Sequence, residues 1–78
     1  METMSLTTSL QERIEGLFTD GLRAESSIGI ADRLGVDEDT ALVELVALVM
    51  NNQLCLVEEG GLLIFLTPAY SRELELAA

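Results

Sequence analysis

Two short apolar runs, QLCLVEE and LLIFLT, meet at Gly60-Gly61. Glycine at both central positions permits the positive φ that a two-residue type I′ turn requires, so this stretch predicts a β-hairpin. Pro68 closes the second run, because proline cannot continue a strand's hydrogen bonding. Upstream of Gln53 the period is different. Leu10, Ile14, Leu17 and Phe18 recur at helical spacing. The chain therefore changes from helical to extended near residue 53.

The helical part divides at its own punctuation. Ser9-Leu10-Gln11-Glu12 has the S-x-x-E spacing of a capping box, and Gly21 follows the first helix as its stop. Ser26 or Ser27 caps a second helix, with Ile28, Ala31 and Leu34 turned inward and Gly35 at its end. Val36 bridges the turn. Asp37 or Asp39 caps a third helix that runs to about Asn52. Residues 1–7 read as a frayed lead, and residues 69–78 as a tail or short helix. At 78 residues the chain has room for one hydrophobic core, so 1–78 is expected to form a single domain.

The stretch SSIGIADRLGVDEDTALVELVALVMNNQLCLVEEGGLLIFLTPAY resembles the winged helix-turn-helix superfamily. Within it IADRLGV is similar to the second helix and turn of bacterial regulators. NNQLCLVEEGGLLIFLTPAY is similar to the strand, wing and LTP ending common there. The resemblance implies an α+β fold, three helices followed by a C-terminal β-hairpin wing. In members that bind DNA, the third helix enters the major groove. It would place Asp37, Glu38, Asp39, Thr40, Leu42, Val43 and Val46 near that surface.

Charge argues against a groove as the partner. The chain holds 14 acidic residues against 4 Arg, with no Lys or His, a net charge of −10. Affinity for duplex comes largely from Lys and Arg neutralising phosphates. The head of the third helix instead offers Asp37, Glu38 and Asp39, and the hairpin offers Glu58 and Glu59. Carboxylates at a helix N-terminus stabilise it through the macrodipole, by about 0.3–1 kcal/mol each at exposed sites. That role accounts for one or two of the three and leaves the charge in the groove's path.

The third helix is also apolar nearly all round. At about 100° per residue, Ala41, Leu45 and Leu48 form the inward face, while Leu42, Val46, Val49 and Met50 form a second stripe with Val43 beside it. A helix apolar on every side is expected to be covered on every side. The hairpin runs lack the polar alternation of a half-exposed sheet, so they too read as covered on both faces. Helix 1, the N-terminal lead and the tail are one possible cover. A second copy or a partner protein is the other, with Leu42, Val43, Val46, Val49 and Met50 as partner-binding residues and Asp37, Glu38, Asp39, Glu58 and Glu59 as an acidic surface beside them.

Enzymatic chemistry finds no foothold. With no His, and with Cys55 inside an apolar run, the usual nucleophile–base pairs are missing. No phosphate-binding glycine motif occurs, and the acidic cluster at 37–39 lacks the spacing of a calcium loop. One Cys excludes an internal disulfide and reads as a small buried hydrophobe. No metal and no cofactor is expected. METMSLTTSLQER has no basic segment leading into an apolar core, and the apolar run Ala41–Met50 is too short to cross a bilayer, so a cytoplasmic location is expected.

Three functions remain in view. The first is a non-enzymatic interaction module that works through protein contacts, most simply as a dimer. The second is a DNA-binding regulator that gathers Arg13, Arg23, Arg33 and Arg72 on one surface. The third is a DNA mimic whose carboxylates occupy a nucleic-acid-binding protein. An acidic surface suited to a high-salt cytoplasm is a further source of the charge.

Overall fold

The computed structural model describes residues 9–77, so the lead expected at 1–7 lies outside the described residues. The fold is α+β. Its elements run α1 (Leu10–Thr19), β1 (Ala24–Ser26), α2 (Ser27–Leu34), α3 (Glu38–Met50), β2 (Cys55–Glu59), β3 (Leu62–Leu66) and α4 (Pro68–Ala77). The strands form an antiparallel sheet of order β1-β3-β2. Three helices and a hairpin therefore understate the architecture by one strand and one helix.

β1 went unread because three residues, Ala24-Glu25-Ser26, are too few to show a period. Their pairing with Leu66, Phe65 and Ile64 is a tertiary event, extended one step further by Thr67 N donating to the Arg23 carbonyl at 3.1 Å. Residues 69–78, left between tail and helix, are helical through Ala77. Proline opens α4, where its missing N–H would have lacked a partner anyway, and the Thr67 hydroxyl accepts from the Tyr70 amide at 3.1 Å.

Helix starts follow side-chain chemistry closely. The Ser9 hydroxyl accepts from the Glu12 amide at 3.1 Å, and the Glu12 carboxylate accepts from the Ser9 amide at 3.2 Å, completing the capping box. Of the two serines ahead of α2, Ser26 is the cap, accepting from the Gly29 amide at 3.0 Å. Ser27 then becomes the first helical residue, which sets the inward face as Ser27, Ile30, Ala31 and Leu34. Ile28 is thereby turned outward, 52% exposed, against the expectation that it points in. Asp37 holds the cap position of α3 but its side chain makes no capping bond.

The ends of α1, α2 and α3 share one closure. The amide two residues past the last turn reaches back to a helical carbonyl: Leu22 to Leu17 at 3.1 Å, Val36 to Ala31 at 3.1 Å and Gln53 to Leu48 at 2.9 Å. The residue before each is left-handed, namely Gly21, Gly35 and Asn52, the last with φ 63°. Asparagine tolerates that conformation better than other side-chain-bearing residues. It is the reason α3 stops at Met50, slightly before the expected Asn52.

The core lies where the three N-terminal helices meet the inner face of the sheet. Ile14, Ile30, Ala31, Leu34, Ala41, Leu45, Leu48, Leu54 and Phe65 form it. Phe65 sits on the central strand, opposite Leu56 on β2 and Glu25 on β1, and is fully buried. Opposed residues share a face, so Leu63 and Phe65 point toward the helices while Leu62, Ile64 and Leu66 occupy the far side.

Candidate interaction surface

α3 supplies both a structural face and a free one. Ala41, Leu45 and Leu48 are buried in the core, as their spacing requires. Leu42 and Val49, which the sequence groups with the outer stripe, are half-buried and pack against the core cluster. Val43, Val46 and Met50 are instead 68%, 43% and 77% exposed. With Leu42 as zero, Val46, Met50 and Val43 fall at about 40°, 80° and 100° around the helix, which turns them away from the core as a group. Within the single chain, α1 and α4 leave these three residues uncovered. The wider stripe divides into two flanking supports and three solvent-facing side chains.

The hairpin is left partly open in the same way. Gly60 and Gly61 take φ 61° and 84°, as the tight turn demands. Leu56, Val57 and Leu62 are 43–44% exposed, so the chain's own helices do not cover the two apolar runs completely. Cys55 is half-buried at the start of β2, beside Leu66, and is not the buried hydrophobe its neighbours suggest. Glu58 and Glu59 lie exposed at the far end of the same strand.

Polar side chains around α3 are partly committed. Ser27, nearly fully buried, donates its hydroxyl to the Glu38 carboxylate at 2.6 Å and so ties the start of α2 to the start of α3. Glu38 is thus half-buried and structural, while Asp37 and Asp39 are exposed. The signal for this tie was weak: two serines in a row, one of which the cap does not need.

Three of the four arginines are also occupied within the chain. Arg13 donates to the Leu34 carbonyl at 3.1 Å. Arg23 bonds Glu73 on α4 and lies over the Tyr70 ring, 4.4 Å from its centroid. Arg33 pairs with Glu25 at 3.1 Å. These contacts spread along α1, the β1 approach and α2.

A cleft of about 430 Å³ opens between α1 and the α3–β2 corner, lined by Glu15, Phe18, Leu48, Gln53, Leu54 and Thr67 among others. Among the described residues no three His, Cys, Asp or Glu side chains stand close enough to hold a metal ion, and no helix is long and apolar enough to cross a membrane. No protein-family model, curated protein or solved structure matches the chain.

Proposed function

We propose that the chain is a non-enzymatic, acidic winged-helix module that works through protein–protein contacts and associates with itself. In this reading α1, α2 and α3 are the three helices of the winged helix, β2 and β3 are its wing, and α4 is an addition. The observation that carries the functional part is the outward group Val43, Val46 and Met50 on α3, the helix that enters the groove in DNA-binding winged helices. Exposed apolar side chains scattered singly are ordinary on a small protein, but a contiguous group on one helix face is the mark of an interface.

Two features weigh against a duplex at the same face. Asp37 and Asp39 stand exposed at the head of α3, and Glu58 and Glu59 stand exposed on the wing. Three of the four arginines that would have to offset them are engaged elsewhere in the chain, at Leu34, Glu73 and Glu25.

The test combines two measurements on the intact chain. Light scattering from micromolar to near-millimolar concentration should give a mass above that of one chain. Gel-shift titration with random duplexes at about 50 mM salt, a condition that favours electrostatic binding, should give no shift. A strictly monomeric protein over the whole range would overturn self-association. A shift that weakens steeply as salt rises would favour the regulator, and inhibition of another DNA-binding protein without a shift would favour the mimic.

A further inference from the structure

We infer that the occupant of the outer face of α3 is α3 of a second copy, packed antiparallel about a two-fold axis that passes between Val46 and Ala47. This rests on the self-association proposed above and specifies its geometry. The first support is the placement of the exposed apolar residues. Val43 and Met50 lie equally far on either side of the Val46–Ala47 midpoint, so a two-fold axis there sets Val43 against Met50 of the second copy and Val46 beside its equivalent. A two-fold contact uses the same patch on both subunits and needs this self-complementarity.

The second support is the distribution of charge along the helix. The apolar group is offset toward the C-terminal end of α3, and the exposed carboxylates Asp37 and Asp39 stand at the N-terminal end. At about 1.5 Å per residue, Asp39 lies about 11 Å from the axis point, so the two Asp39 residues end about 22 Å apart. That exceeds the ~8 Å Debye length at physiological ionic strength. A parallel pairing would hold them about 8–10 Å apart, the spacing of packed helices, and repulsion would concentrate at one end. The antiparallel pairing also sets Thr40, the neighbour of Asp39, level with Gln53 of the second copy. Asn51, Asn52 and Gln53 are exposed at the C-terminal end of α3 and carry no charge, so the acidic end of one helix meets amide donors of the other. Glu44 projects from α3 about 130° from the centre of the outer face and stays clear of the contact.

Disulfide trapping in a Cys55→Ser background tests the register. Val46→Cys alone and Ala47→Cys alone should each form disulfide-linked dimer under mild oxidation. Val43→Cys alone and Met50→Cys alone should remain uncrosslinked, while an equimolar mixture of those two should crosslink as a heterodimer. Light scattering on each reduced variant reports association independently of the crosslink. A dimer that traps Val43 to Val43 and Met50 to Met50 would overturn the antiparallel arrangement in favour of a parallel one. A dimer that traps at none of these positions would remove α3 from the interface while leaving self-association standing. A monomer in the Cys55→Ser parent and in the unaltered chain would remove both.

Discussion

Val46→Glu separates an interface on α3 from an incidental apolar surface. Full burial of a valine side chain contributes about 1.5–3 kcal/mol. Val46 is 43% exposed in the single chain. Covering that remainder is therefore worth about 1 kcal/mol per copy, and roughly 2 kcal/mol for a symmetric pair. Since about 1.4 kcal/mol is tenfold in affinity, removing it alone weakens the dimer about 30-fold. The two introduced carboxylates would face each other near the two-fold axis, with no cation on α3 to meet them, so the loss should exceed that figure. Val46→Ala removes methyl groups without adding charge and should weaken association less. Glutamate has a somewhat better helix propensity than valine, so α3 itself should persist. Sedimentation or light scattering reads the dissociation constant, and far-UV circular dichroism at the same concentrations reads helical content. An unchanged dimer with helical content intact would refute the assignment of Val46 to the contact.

Other perturbations probe the frame around this face. Replacing Gly60 and Gly61 together with Val forces two β-branched residues into the left-handed region, at about 1–2 kcal/mol each, and should lower the thermal midpoint by several degrees or more for a domain of this size. Ser27→Ala removes the only donor described for the half-buried Glu38 carboxylate and should destabilise the chain by about 1–3 kcal/mol in urea titration, with Ser27→Thr or Ser27→Cys as controls for volume. Raising salt from about 0.1 M to about 1 M shortens the Debye length from about 10 Å to about 3 Å. Because each copy carries −10, self-association should tighten over that range, whereas capture of a basic partner should weaken.

Local chemistry made most of the helical frame readable. The S-x-x-E box at Ser9 and the Gly-Gly joint at 60–61 specify conformation through their own backbone demands, and both appear in the fold. β1 was invisible because three residues carry no period and its identity comes from its partner Leu66–Phe65–Ile64. Ile28 was misplaced for a related reason. Ala31 and Leu34 face inward as read, but Ser27 and Ile30 complete their face in place of Ile28, and Ser27, which the structure buries, holds its inward slot through its bond to Glu38. The outer face of α3 was legible as a stripe but not in its width. Periodicity reports that Leu42 and Val49 are apolar. Only packing shows them leaning on the core while Val43, Val46 and Met50 face out.

Apolar contact is non-directional, and this bears on why an outward valine–methionine face would carry carboxylates at one end. A smooth apolar helix face can slide by a turn or reverse direction against its partner at little cost, because dispersion and water release do not distinguish those arrangements. Charge placed at the rim supplies the distinction, chiefly by penalising wrong pairings. Under the antiparallel arrangement Asp37 and Asp39 do this at the head of α3, where the macrodipole also favours them, so one pair of residues stabilises the helix and sets its direction against a second copy. The two roles separate experimentally. Asp37→Asn with Asp39→Asn keeps side-chain size and hydrogen-bonding capacity but removes the charge. If direction depends on that charge, the double variant in the Cys55→Ser background should begin to trap Val43 to Val43, the parallel pairing, while still associating. If the carboxylates serve the helix alone, the variant should lose a little thermal stability and its crosslinking pattern should not change.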